Sequence, residues 1–140
     1  MRLLIHFLVS LIFMLIFIPI FGYLAFAFFI GGFLIDVDHY LWYFIKKRKL
    51  NLKEAYYYHR DKEYFTKEES KSDLPLLHIF HVFEIWLIVF ILAFFHKFFL
   101  IIFLGLLVHV IMDITEMVRT KAYKIRAISL FYWILKQFKG

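Results

Sequence analysis

Long apolar runs separated by short polar segments dominate the chain. The first run covers residues 3–35, whereas one helix needs only about 20 residues to cross a bilayer. Pro19 and Gly22, residue types that interrupt helices, lie in the middle of this run. The pattern therefore predicts two membrane spans, over 3–20 and 23–45, joined by a turn. A signal peptide is the competing interpretation, but no small-residue cleavage motif follows the run.

Polar and apolar segments alternate again further along the chain. Residues 46–73 are rich in charge and are predicted to form a polar loop outside the bilayer. Two further apolar runs, 74–95 and 98–117, are each long enough for one span. The tail, 119–140, mixes basic with aromatic and aliphatic residues, which is typical of a helix lying in the membrane interface. A tail packed on the bundle is the alternative.

These segments predict an all-α fold in one domain over 1–140, an integral membrane bundle of four transmembrane helices with a basic amphipathic C-terminal helix. The composition agrees, because 64% of the residues are apolar and the mean hydropathy is +0.76. Soluble domains have about 45–50% apolar residues, so a water-soluble or a disordered chain is excluded. The absence of Cys excludes disulfides, thiolate metal sites and cysteine nucleophiles.

The basic residues predict the orientation. With four spans, 16 of the 17 Lys and Arg residues lie on the side of the two termini, and Lys97 lies alone on the other side. The positive-inside rule places the basic side, with both termini, in the cytoplasm of a plasma or inner membrane. Topology and attraction to anionic lipid account for the net charge of +6, so no nucleic-acid partner is expected. The expected partner is membrane lipid, and the oligomeric state is not predicted.

Ionisable residues within the predicted spans are the candidate site, because such residues are costly in a bilayer and usually functional. They are His6, Asp36, Asp38, His39, His78, His81, Glu84, His109, Asp113 and Glu116. On each span, one or two of these residues lie 11–15 residues from the span's end on the uncharged side of the membrane, which is about 16–22 Å along a helix; they are His6, Asp36, His81, His109 and Asp113. Four spans therefore place His and carboxylate groups in one layer towards the cytoplasmic side.

The spacing within the spans favours metal binding. Asp36 and His39 are three residues apart and His109 and Asp113 four apart, so each pair shares a helix face. Bundle proteins build metal sites from such pairs on facing helices. The predicted metal ligands are His6, Asp36, Asp38, His39, His78, His81, His109 and Asp113. Nitrogen and oxygen ligands suit Zn²⁺, with Mn²⁺ and Fe²⁺ compatible, and the number of candidates allows one to three ions.

Some candidates keep a second interpretation. Asp38 follows Asp36 by two residues and points to another side of the helix, so it and His78 are either ligands or partners of ligands. Glu84 and Glu116 are candidate catalytic general bases or partners of ligands. The alternative for the whole set is that these groups hydrogen-bond one another as polar glue between helices. His59 and His96, in polar loops, receive no role.

Three segments in order resemble a known family. They are the Gly-Gly-Phe-Leu-Ile-Asp-Val-Asp-His segment at 31–39, His81, and the Gly-Leu-Leu-Val-His-Val-Ile-Met-Asp segment at 105–113. Together they resemble the YdjM-like inner-membrane proteins, which carry Pro-Asp-x-Asp-His, Thr-His-Ser and His-x-x-x-Asp segments. This chain departs from the pattern at Ile35, where the family usually has Pro, and in the two neighbours of His81.

The resemblance implies a membrane-bound metal-dependent hydrolase, distantly like zinc-dependent phospholipase C, which cleaves phosphodiesters. We therefore expect a hydrolase that uses metal-activated water on an ester or phosphoester, in particular that of a lipid. The alternative is a non-enzymatic membrane protein whose structural metal or polar site serves to bind a partner.

Overall fold

The computed structural model describes residues 3–60, 77–120 and 127–138. Within these ranges the chain is helical and contains no strand, which confirms the predicted all-α class. The helices are α1 (Leu3–Phe21), α2 (Ala25–Gly32), α3 (Val37–Lys47), α4 (Leu52–Arg60), α5 (Phe83–Ala93), α6 (Lys97–Thr120) and α7 (Leu130–Gln137). Short 3₁₀ turns occupy Gly22–Leu24, Leu34–Asp36 and Ile79–His81.

Two helical runs of the described chain are long and apolar enough to cross a membrane, Leu3–Lys47 and Lys97–Arg119. Only 17% and 22% of their most apolar windows are buried, so most of their side chains face outward, unlike those of a core helix in a soluble protein. Phe83–Ala93 is apolar but shorter. Its 11 residues extend about 16 Å, about half the thickness of a bilayer core.

The first apolar run turns back on itself at Gly22. Its φ of 57° lies in the left-handed region, which glycine adopts without steric cost. Pro19 lies inside α1 and does not end it, so the turn comes where the backbone needs glycine. Beyond the turn, α2 packs against both α1 and α6. Ala27, Phe28 and Ile101 form the buried apolar core of this contact.

Glycines bring α2 and α6 unusually close together. A methyl group at Gly31 would collide with the carbonyl oxygen of Ile102, and one at Gly105 would collide with that of Phe28. Small residues at these positions are the usual means by which helices in membranes approach each other. The close crossing sets where the later turns of α6 lie relative to α2.

The helices differ from the predicted spans at two places. The span over 23–45 is interrupted, because α2 ends at Gly32 and a 3₁₀ turn precedes α3. The span over 74–95 becomes helical only at Phe83, and residues 74–76 lie outside the described residues. Hydrogen bonds hold this second region out of a helix: the Phe80 N–H donates to the Asp38 carboxylate, at 2.9 Å. The Phe83 N–H donates to the carbonyl of Ile128, at 2.8 Å.

The predicted polar loop and tail both contain helices. In the loop, α4 packs against α3 through Tyr43, Ala55 and Tyr58, and the rest of that segment, 61–73, lies outside the described residues. In the tail, α7 begins beside α5, and Trp133 lies edge-on to Trp42 of α3, with 6.1 Å between ring centroids. The described part of the tail thus contacts the bundle through Leu130 and Trp133, whereas Phe131, Tyr132 and Phe138 are exposed. The contacts agree with the packed alternative, and the exposed aromatic side chains agree with a helix in the membrane interface.

The helix crossing predicts a large effect of a single methyl group. Gly105→Ala should lower the free energy of unfolding by about 1–3 kcal/mol, because the added Cβ overpacks the contact with α2. Leu107→Ala, at a position on the same helix that is 44% exposed, is the matched control. Thermal unfolding in detergent measures both, and equal stability of the two variants would contradict the close crossing.

Candidate metal centre

Six side chains from separate parts of the chain converge in one buried cluster. They form two groups whose ligand atoms lie within 4.8 Å of one another, His6 with His109 and Asp113, and Asp36 with His39 and His81. We call these six residues the His/Asp cluster. Each group of three could hold a metal ion. The described chain thus brings together six of the eight predicted ligands.

Three helices and two 3₁₀ turns contribute the residues of the cluster. His6 comes from α1, on the buried stripe that continues at Ser10 and Met14. Asp36 ends the 3₁₀ turn between α2 and α3, and His81 ends the 3₁₀ turn before α5. His39, in the first turn of α3, and the pair His109 and Asp113 on α6 complete the cluster.

Four possible ligand atoms surround the contact between His81 and His109. They are His81 Nε2, His109 Nε2, Asp36 Oδ1 and Asp113 Oδ2. The two Nε2 atoms are 3.0 Å apart, and each lies 3.6 Å from Asp36 Oδ1. Asp113 Oδ2 is 3.7 Å from the His81 nitrogen and 3.4 Å from the His109 nitrogen.

The other nitrogen of each of these histidines has an acceptor as its partner. His109 Nδ1 lies 2.9 Å from the carbonyl oxygen of Gly32, and His81 Nδ1 lies 2.9 Å from Asp38 Oδ2. Because a carbonyl and a carboxylate only accept, both Nδ1 atoms carry the proton when the rings are neutral. Both Nε2 atoms then carry lone pairs, and the two atoms face each other 3.0 Å apart. Histidines that bind metals are oriented in this way by such partners.

The remaining two histidines of the cluster contact its carboxylates. His6 Nδ1 is 3.2 Å from Asp36 Oδ2, and His6 Nε2 is 3.7 Å from Asp113 Oδ1. His39 Nδ1 lies 3.0 Å from Asp38 Oδ1 and 3.4 Å from Asp36 Oδ1. Within the described residues, every ion-pair partner of Asp36 and Asp38 is a histidine.

Asp38 and His78 are buried beside the cluster, outside both groups of three. Asp38 points to the same side as Asp36, because the chain turns before α3 instead of continuing as one helix. Its carboxylate orients His81 and accepts the Phe80 N–H. The His78 ring stacks on His39, with 3.9 Å between centroids. The expectation that Asp38 faces another side is therefore wrong, and its contacts make it a partner of a ligand.

The two predicted bases have other partners. Glu84 accepts the hydroxyl of Ser129, at 2.6 Å, and the backbone N–H groups of Leu130 and Phe131, at 3.0 and 3.2 Å. It thereby caps the start of α7 and joins it to α5. Glu116 pairs with Arg119, at 3.1 Å, one turn beyond Asp113 on α6. Neither glutamate belongs to the two groups of three.

Sequence reasoning missed two contributors to the site. The Gly32 carbonyl has no side-chain signal, although Gly105, one turn before His109, marks the close approach that brings it near. His59 of α4 donates from Nε2 to the His39 carbonyl, at 2.7 Å, and its ring lies 5.1 Å from those of both His39 and His78. Burial, with the nearby His39, lowers the pKa of His59 to about 4, so its ring is neutral at pH 7.

Comparisons with known proteins add no relative to this picture. The chain matches no protein-family model, no curated protein and no solved structure. The functional inference therefore depends on the geometry of the His/Asp cluster.

Removing the Glu84 carboxylate should loosen α7 and leave the cluster intact. In Glu84→Ala, the amides of Leu130 and Phe131 lose their acceptor, and we expect them to exchange with deuterium about tenfold faster. Hydrogen exchange with mass spectrometry measures this. Glu116→Ala is the control, because that residue lies on α6. Unchanged exchange in α7 would show that Glu84 is not its cap.

Proposed function

We propose that this chain is an integral membrane metalloprotein that hydrolyses an ester or phosphoester of a lipid. The observation that carries the proposal is the close approach of imidazole nitrogens and carboxylate oxygens in the His/Asp cluster. Ligands about 2.0–2.1 Å from a zinc ion stand about 3.3–3.4 Å apart around it. The two Nε2 atoms of His81 and His109 are 3.0 Å apart, and each lies 3.4–3.7 Å from Asp36 Oδ1 and from Asp113 Oδ2. These distances are close to those between neighbouring ligands of a small cation.

The electrostatics of these donor atoms also favour a bound cation. Two imidazole lone pairs face each other 3.0 Å apart, with a carboxylate oxygen of Asp36 3.6 Å from both. That oxygen is buried and receives no hydrogen bond from the described residues. Such an arrangement is repulsive unless positive charge lies between its members, and buried charges are normally paired or bound to metals.

Zinc is the proposed ion, because the donors are imidazole and carboxylate, and Mn²⁺ and Fe²⁺ accept the same set. A bound divalent cation would lower the pKa of a water molecule and polarise the bond to be hydrolysed. His81 and His109 would hold it together with a carboxylate of Asp36 or Asp113, which leaves one position for water. Gly32 and Asp38 would keep the two imidazoles in the required orientation. With His6 and His39, the cluster has enough donors for a second ion.

The proposed base differs from the sequence prediction in one respect. Glu84 is engaged by three donors at the start of α7, so we do not assign it a role in proton transfer. Glu116, three residues after Asp113 on α6, remains the predicted base.

We further propose four spans with both termini in the cytoplasm. The turn at Gly22, the packing of α1 against α2 and that of α5 against α6 support a bundle in which the chain reverses direction. The resemblance to YdjM-like proteins supports the same topology and the hydrolase class. The site then lies near the basic side, where each Lys or Arg close to the surface attracts anionic headgroups by about 1 kcal/mol.

A non-enzymatic role is the second candidate, and one observation favours it. A proton shared between the two Nε2 atoms, 3.0 Å apart, would also relieve their repulsion, which would make the cluster polar glue between helices. Such a protein would serve to bind a partner, and the cluster would be this polar site or would hold a structural metal.

Metal content separates the hydrolase from a cluster that serves only as polar glue. Detergent-purified protein should contain stoichiometric zinc, manganese or iron, and the His109→Ala/Asp113→Ala double variant should lose it, because two of the four donor residues are removed. His96→Ala, in the turn between α5 and α6, is the control and should retain the metal. Elemental analysis measures all three proteins. A folded wild type that stays empty after incubation with these ions would exclude the hydrolase.

The topology is testable because the chain has no Cys, so that an introduced thiol is unique. Leu50 lies before α4, and Lys97 begins α6, so that α5 is the one proposed crossing between them. Cysteines introduced as Leu50→Cys and Lys97→Cys should react with a membrane-impermeant maleimide from opposite sides of sealed vesicles. Leu50 is 74% exposed and accessible to the reagent. Labelling of both thiols from the same side would mean that α5 does not complete a crossing.

A further inference from the structure

A pocket between α3 and α4 opens directly onto the His/Asp cluster. Its volume is about 90 Å³, and Asp36 and His39 of the cluster line it together with His59 of α4. Leu52 and Tyr56, also in its lining, are 70% and 36% exposed, so this side of the pocket reaches the surface. The pocket is therefore a route by which a molecule outside the bundle reaches the candidate metal centre.

The polarity of the pocket changes from its floor to its mouth. The floor is formed by a carboxylate and imidazoles, whereas Leu3, Leu52 and Ala55 contribute aliphatic surface. The described lining contains no Lys or Arg, and although Tyr40 and Tyr56 belong to it, most of its exposed surface is apolar. A sugar or nucleotide carries polar groups over its whole surface and would bury several of them against this apolar surface, at a considerable cost. A molecule with one small polar group and an apolar chain fits the pocket, with the polar group at the floor and the chain against the aliphatic residues of the mouth.

Helix α4 holds the outer wall of this pocket in place. The Glu54 N–H donates to Asn51 Oδ1, at 3.1 Å, at the start of the helix. The Tyr43 hydroxyl of α3 donates to Glu54, at 2.7 Å, and the His59 ring donates to the His39 carbonyl, at 2.7 Å. These contacts anchor both ends of α4 on α3. The wall is preformed, which reduces the entropy that binding would cost.

His59 also offers the pocket an acceptor. Because its Nε2 donates to a carbonyl, its Nδ1 carries the lone pair in the neutral ring. Nδ1 is buried and has no hydrogen-bond partner among the described residues. A buried acceptor of this kind normally receives a hydrogen bond, and a water molecule that enters with the bound molecule can donate it.

We propose that this pocket binds the acyl side of a lipid carboxylic ester, with the ester group at Asp36 and His39. The inference rests on the proposed metal-dependent hydrolase and names its substrate class. A volume of about 90 Å³ corresponds to about three water molecules at about 30 Å³ each. The pocket thus holds the ester and the first carbons of the chain. The rest of the chain leaves past Leu3 and Leu52, both at the end of the bundle where the basic segments lie.

Two hydroxamates test the proposal, because they share a metal-binding head and differ in chain length. Zinc-loaded, detergent-purified full-length protein should bind octanohydroxamic acid at least tenfold more tightly than acetohydroxamic acid. Leu52→Trp should fill the mouth and remove about tenfold of the octanohydroxamate affinity, without changing the acetohydroxamate affinity. Leu50→Trp is the matched control, since Leu50 is 74% exposed and does not line the pocket. Calorimetry at one detergent concentration makes micelle partitioning equal for all variants.

The outcomes are distinguishable from failure of the proposed function. Zinc content is measured on the same samples, and a protein that binds no metal overturns the hydrolase and this proposal together. A metal-loaded protein whose hydroxamate affinities are unaffected by Leu52→Trp overturns the pocket alone. The same holds if Leu50→Trp has an equal effect, or if Leu52→Trp weakens the binding of inorganic phosphate as strongly, because the pocket would then receive the headgroup.

Discussion

Asp36 lies at the break between α2 and α3 with its side chain only 3% exposed, and histidines from four other positions contact it. His6 is 3.2 Å away, His39 3.4 Å, and His81 and His109 3.6 Å each. A buried carboxylate is costly unless opposite charge or hydrogen bonds compensate it. The histidines that surround it come from α1, α3, α6 and the turn before α5, and a cation bound among them would supply the opposite charge. The site is therefore complete only when these parts of the bundle have packed together.

The apolar contacts determine where these partners can meet. Gly31 and Gly105 let α2 and α6 approach closely, and four residues later on α6 His109 reaches the Gly32 carbonyl, at 2.9 Å. A larger residue at either glycine would move the imidazole away from Asp36 as well as weaken the helix contact. Residues that never contact a ligand therefore control the geometry of the cluster, since a helix moves as a rigid unit.

The sequence predicted the long helices and most of the cluster, because both depend on local pattern. Hydropathy identifies α1 and α6, and the spacing of His109 and Asp113 identifies a shared face. The breaks at Gly32 and before Phe83 depend on contacts with distant residues, such as the Asp38 carboxylate that accepts the Phe80 N–H. For this reason the Asp38 side chain faces the same side as that of Asp36, whereas the periodicity of a continuous helix predicts different sides.

The same reason explains the other two differences. The partners of Glu84 lie 45–47 residues away, and His59 bonds to a backbone carbonyl, which has no sequence signature. Side chains whose partners are backbone groups or distant residues leave no periodic signal. Sequence spacing therefore does not distinguish a glutamate that caps a helix from a catalytic one. It also does not distinguish a histidine that lines a pocket from one that has no role.

The two ends of the bundle differ in a way that bears on function. Towards Gly22, the space between α1, α2 and α6 is filled by Phe28, Ile101 and the aromatic rings of Phe17 and Phe21. At the other end, Asp36 and His39 meet the pocket that α4 covers in part. A transporter needs polar groups along a path through the membrane, whereas here the described polar groups end at an apolar plug. A buried polar cluster that a pocket joins to the surface, as here on the α4 side, has the form of a binding or catalytic site.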